Sequence, residues 1–272
     1  MTNTNEKKID LKQSIDFIRI LIYAAIAGLG AGVLGTLFTF SVNYVTQLRV
    51  NHPWLVYFLP IGGIVIVLLY KLAKYKDAGT DLVINSIHSE PHLPVRIGPL
   101  IFISSVITHL FGGSAGREGA ALQIGGSVGS FISKTLRLKE EDKKTLIMAG
   151  MSGCFSALFG TPLTAAILPL EVVHVGYMQY AALLPCVIAS LVGHCVAIAM
   201  NLVEPMHHIG TVPNLDAITT VAVIGLSLLA GLVSRLFVFS LHKTHHIFAM
   251  IENAYVRAIV GACIIIVLTL LV

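Results

Sequence analysis

Polar and apolar positions along this chain do not alternate; they separate into long blocks. Residues 1–17 are polar, and the first apolar block runs from Ile18 to Val45. Its Ala24, Ala27, Gly28, Ala31, Gly32 and Gly35 recur at helical spacing, which predicts a helix in close contact with other protein segments. A second block, Trp54 to Tyr75, ends among Lys71, Lys74 and Lys76, so a chain that starts in the cytoplasm returns there after two crossings. Gly79 then opens a short apolar stretch, Leu82 to Ile84, that is too short to span and predicts a half-helix. The run from Val95 to Phe131 is too long for one helix, and Gly112-Gly113-Ser114-Ala115-Gly116 interrupts it, predicting two helices with a break.

A lysine-rich loop, Lys134 to Lys144, comes next. The apolar region from Thr145 to Met200, interrupted at Gly160-Thr161-Pro162 and near Pro185, predicts at least three helices. His207 to Asp216 reads as a polar loop, Ala217 to Leu241 as a span, His242 to His246 as a loop, and Arg257 to Val272 as an apolar run. That run carries no polar tail, so the expectation is an incomplete or shortened chain. The predicted fold is all-α: a polytopic helical membrane protein with broken half-helices, a cytoplasmic segment over 1–17 and a transmembrane domain over 18–272.

Composition agrees, with 56% apolar and 12% charged residues against a soluble average of roughly 25% charged. The intervals between charged clusters are long enough for helices crossing about 30 Å of hydrocarbon. The net charge of +4 comes from lysines in short loops beside apolar blocks, where positive charge sets orientation, so it is read as topology and not as a nucleic-acid surface. The N-terminus lacks the apolar core and cleavage site of a signal peptide and is expected to stay in the cytoplasm. Cys154, Cys186, Cys195 and Cys263 lack CxxC spacing and read as buried packing residues. The eleven histidines show no ligand spacing, so no metal and no cofactor is expected.

An ionisable group at the bilayer centre costs at least about 2.5–3.5 kcal/mol on insertion scales and needs a partner, a cavity or a function. Arg117, Glu118 and Glu171 are the candidates. Adjacent residues on a helix point about 100° apart, so Arg117 need not neutralise Glu118. The flanking glycines permit a break, and a helix starting near Gly119 would present unpaired N–H groups and about half a positive charge to an anion. Broken helices at the midplane mark transport sites. Glu118 would then occupy the anion's own position and leave on protonation or displacement, which makes it a gate. The alternative is that Arg117 and Glu118 form structural pairs at a tight turn. Glu171 follows Pro169 and has His174 three residues on, which favours a structural carboxylate.

Gly112-Gly113-Ser114-Ala115-Gly116-Arg117-Glu118-Gly119, followed by Gln123-Ile124-Gly125-Gly126, closely resembles the gating-glutamate motif of the CLC chloride channels and proton-coupled anion antiporters. Phe159-Gly160-Thr161-Pro162-Leu163, leading to Leu170-Glu171, resembles a later helix pair of that family. The resemblance implies the CLC-type architecture, with the first inverted repeat and the start of the second. It implies that Glu118 is the external gate, that backbone at Gly116, Arg117, Gly119 and Ala120 lines an outer anion site, and that Ala78-Gly79-Thr80 meets a central one. It also implies chloride or fluoride and protons as transported ions, a homodimer in the lipid of the plasma membrane, no nucleic acid and no enzymatic step.

Three departures bear on the ion. Ala78 replaces the serine of the GSGIP turn, Ala120 replaces a proline after GREG, and Val172 stands where an internal proton-transfer glutamate would fall. These resemble the fluoride-exporting branch, and chloride against fluoride stays open. The GxFxP loop and the tyrosine of the second half have no counterpart here, so the competing expectation is a shortened, non-transporting scaffold or a fragment. Within that resemblance Glu171 is either structural or part of a proton route.

Overall fold

The computed structural model describes residues 2–74, 93–173, 179–202, 214 and 216–271, with side chains from Ser14 onward. Every regular element among these residues is helical, as expected. Helix α1 spans Thr2–Asn51, α2 Leu59–Leu72, α3 Ile97–Leu110, α4 Arg117–Thr135, α5 Glu140–Phe159, α6 Pro162–Val173, α7 Leu183–Ala199, α8 Ala217–Ala249 and α9 Ala254–Leu271. Short 3₁₀ turns at Pro53–Phe58 and Tyr180–Ala182 lead into α2 and α7. Five helical segments among the described residues are long and apolar enough to cross a membrane: Ser14–Asn51, Pro53–Leu72, Tyr180–Ala199, Ala217–Ala249 and Ala254–Leu271.

The core is built around α5. Its residues from Leu146 through Leu158 are all buried, so this helix faces protein on every side. Small residues make that possible. A Cβ on Gly150 would meet the Gly125 carbonyl of α4, and one on Gly153 would lie 2.8 Å from the Gly28 Cα of α1. Helices α1, α4 and α7 therefore close on α5 at backbone contact, the small-residue packing of membrane bundles. Phe38 of α1 meets Phe102 of α3 edge to face at 5.4 Å, and α9 lies along α2. No residue of α8 is buried.

The sequence expectations need several corrections. The first helix begins at Thr2, well before Ile18, because nothing in the polar segment breaks helical backbone. The Lys134–Lys144 stretch is mostly helical: α4 continues to Thr135, and α5 starts at Glu140, where Glu140, Glu141 and Asp142 favour a helix N-terminus. The interruption near Pro185 is present: α7 starts at Leu183, and Pro185 sits in its first turn, where its missing N–H costs nothing. His242 to His246 is not a loop but part of the closing turns of α8, where basic side chains oppose the negative end of the helix dipole. Of the four cysteines, Cys154 and Cys186 are buried, whereas Cys195 and Cys263 are exposed. The half-helix expected at Gly79 falls outside the described residues, as does most of the His207–Asp216 loop.

Candidate functional site

The site begins with the way α3 stops. Gly112 takes the left-handed conformation, φ 75°, and Gly113 N–H donates to the Thr108 carbonyl at 2.8 Å, which turns the chain sharply out of the helix. At 14 residues, α3 is about 21 Å long, shorter than the hydrocarbon of a bilayer. The expected break between α3 and α4 is therefore present.

Two contacts set its position. A Cβ on Gly112 would lie 3.1 Å from Arg49 Cδ, near the end of α1. Farther along the loop, Arg117 donates from Nη1 to Asn43 Oδ1 at 3.3 Å. Asn43 precedes the last residue of α1 by eight positions, or about 12 Å of helix, so the loop runs back along α1 before α4 begins.

Helix α4 opens at Arg117, two residues earlier than a start at Gly119, because Gly116 is extended (φ −75°, ψ 147°) and serves as a cap without a side chain. By α-helix geometry the N–H groups of residues 117–120 form a first turn without intrahelical acceptors. Glu118 is the acidic residue of that turn. Its Oε2 lies 3.0 Å from where a Cβ on Gly116 would stand, so the carboxylate folds back over the helix start. Among the described residues Glu118 has no ion-pair or side-chain hydrogen-bond partner, and Arg117 turns to Asn43 instead. Glu118 is exposed, while Ala120 through Ser127 behind it are buried. An exposed carboxylate thus stands over a helix N-terminus whose body is locked in the core. Such an arrangement can hold an anion when the carboxylate swings away, and can exclude one when it does not.

The remaining candidates are not gathered here. Glu171 is exposed on α6, one residue beyond the buried Leu170, and has no partner among the described residues; His174, its expected neighbour, lies outside them. Ala78, Gly79 and Thr80 also lie outside the described residues. Val172 is half-buried against the core. Sequence reasoning missed Asn43, whose signal was a polar amide inside the apolar block from Ile18 to Val45, where a polar side chain needs a partner. Helix α6 itself is set by Gly160, left-handed at φ 65°, and by Pro162 at its first position, the Gly-end and Pro-start pairing of adjacent helices.

The family model described as voltage gated chloride channel matches residues 61–272. A chloride/fluoride channel protein of Pseudomonas syringae pv. tomato is 39% identical over 225 residues, covering 82% of this chain and 50% of its own length. The H(+)/Cl(-) exchange transporter ClcA of Vibrio cholerae serotype O1 is 26% identical over 234 residues, covering 80% of this chain and 49% of its own. The crystal structure of a CLC-type fluoride/proton antiporter superposes with a TM-score of 0.90 at 29% identity, covering 95% of this chain and 66% of that one. The chain thus spans about half the length of the curated relatives it matches.

Proposed function

The chain belongs to the voltage gated chloride channel family, the CLC family, and on that premise we propose that it serves an anion pathway through the membrane in which Glu118 is the gate. The transported anion is chloride or fluoride, with protons as the coupled or gating ion. The reading is one of transport and not of enzymatic chemistry. The protein acts in the plasma membrane with its N-terminus in the cytoplasm, as a homodimer. The name of the Pseudomonas relative supports both anions, and that of the solved antiporter supports fluoride and proton.

One observation carries the gate: the α3–α4 break beside α1, with the Glu118 carboxylate folded over the start of α4 and free of a cationic partner among the described residues. The first-turn amides offer an anion fixed donors, and the carboxylate competes for the same place, so occupancy by one displaces the other. Ala120, where many members of the family carry proline, leaves one more N–H in that turn. Glu171 on α6 serves the fold in this reading. In the homodimer each subunit carries its own pathway.

Proteoliposomes carrying the protein, with fluoride and chloride efflux followed by ion-selective electrodes at several pH values, test this. Glu118→Gln and Glu118→Ala are expected to abolish the pH dependence of efflux and to change its rate at least tenfold. Efflux in both variants that tracks the parent at every pH removes Glu118 from the pathway. The scaffold reading predicts no efflux from any of the three proteins.

A further inference from the structure

A wide cavity of about 980 Å³ lies between the end of α2 and the start of α9, away from the α4 N-terminus. Two apolar spans, Pro53–Leu72 and Ala254–Leu271, terminate at it, so it sits where the hydrocarbon gives way to the headgroup layer. Ile66 and Val67, from within the α2 span, form its apolar wall, and Tyr70 and Tyr255 supply aromatic rings at the level where amphipathic rings collect in membrane proteins.

Lys71, Lys74 and Arg257 converge on the same space, with Glu252 as the accompanying carboxylate. Among the described residues the surplus is positive. Lys71 Nζ is 5.9 Å from the centroid of the Tyr255 ring, which holds the ammonium over an aromatic face and joins the two helices. None of the three cations has an ion-pair partner among the described residues. Cations at this depth keep their heads toward the headgroup layer, and an anion there relieves their mutual repulsion.

Size and layering narrow the ligand. A cavity in the range of about 300–1,000 Å³ holds an organic molecule and is far too large to grip a bare halide. A soluble phosphate compound has no use for the apolar wall, whereas a phospholipid fits both parts, phosphate at the cations and first acyl carbons along Ile66 and Val67. We propose that this cavity binds the headgroup of an acidic phospholipid, with Lys71, Lys74 and Arg257 as the phosphate's partners. The site is independent of the Glu118 gate.

The test incubates the detergent-purified full chain with phosphatidylglycerol or phosphatidylcholine, repurifies it, and quantifies bound lipid by mass spectrometry over a titration. Phosphatidylglycerol is expected to be retained over phosphatidylcholine. Lys71→Gln and Arg257→Gln each weaken its binding about fivefold, and the triple variant with Lys74→Gln about a hundredfold. Lys71→Arg, which keeps the charge, binds like the parent, as does the Arg137→Gln/Lys139→Gln control at the α4–α5 turn. Should the triple variant fail to fold, Lys74→Gln alone, exposed just beyond α2, decides by the same fivefold loss. Equal retention of the two lipids, an equal loss in the control, or release of the lipid by millimolar inorganic phosphate overturns the assignment.

Discussion

Gly125→Ala puts the α4–α5 crossing to a severe test. The new Cβ would fall on the Gly150 carbonyl and stand 2.7 Å from Cys154 Cβ and 2.8 Å from the Gly150 carbonyl carbon, where ordinary contact begins at 3.4 Å. Two of these three neighbours are backbone atoms, so no rotamer change relieves the contact and the helices must part by at least about 0.7 Å. Overpacking of this kind costs about 1–3 kcal/mol, which outweighs the gain of roughly 0.5–1 kcal/mol from replacing glycine by alanine in a helix. Gly225→Ala is the matched control, because a Cβ on Gly225 of α8 meets nothing within 4 Å. There only the propensity gain remains. Thermal unfolding in mild detergent, followed by circular dichroism, should show Gly125→Ala melting below the parent and Gly225→Ala at or above it. A Gly125→Ala protein as stable as the parent, or equal losses in both, would refute backbone contact as the basis of the core.

Further expectations concern single interactions. The Arg117–Asn43 hydrogen bond, 3.3 Å and exposed, should show a coupling of about 0.5 kcal/mol in a double-mutant cycle of unfolding; additive single losses would break the link between α1 and the loop. Ser130 Oγ donates to the Leu93 carbonyl at 2.6 Å and Lys134 Nζ donates to the same oxygen at 3.2 Å. Ser130→Ala alone should therefore cost about 0.5–1.5 kcal/mol, and combining it with Lys134→Ala should cost more than the sum, because the carbonyl is then left without a donor. Asp216 caps α8 by accepting the Thr219 N–H at 2.7 Å, and that bond holds its carboxyl below the usual carboxylate range. A lowered folded-state value means that the capping contribution is complete above the unfolded value of about 3.9 and disappears as pH falls through the folded one. Asp216→Asn keeps an acceptor at every pH, so hydrogen exchange at the α8 N-terminus should lose its acid dependence in that variant.

The legible parts of the fold were those that backbone chemistry marks. The α3–α4 break was announced by Gly112, Gly113 and Gly116, and the α5–α6 junction by Gly160 followed by Pro162, since few other residues serve a left-handed end or a helix start. Charge misled where it was read as loop. Glu140, Glu141 and Asp142 open a helix and His242 to His246 lie near the end of one, because helix termini welcome such groups. Within the site, Glu118 could be picked from the sequence as a costly charge between glycines. Its partner-free pose could not, since that depends on Arg117 being engaged by Asn43, 74 residues away in the chain. The pairing of α9 with α2, which builds the cationic cavity, was equally invisible, because the two helices carry no pattern that names each other.

The most direct measurement is a structure of the Glu118→Gln protein soaked in bromide, compared with the parent under the same conditions. The account predicts an anomalous peak within hydrogen-bond distance of the amides of residues 117–120 in the variant, and the Glu118 carboxylate in that place in the parent. Bromide absent from the α4 N-terminus in the variant, or bound there beside an undisplaced carboxylate in the parent, would contradict it.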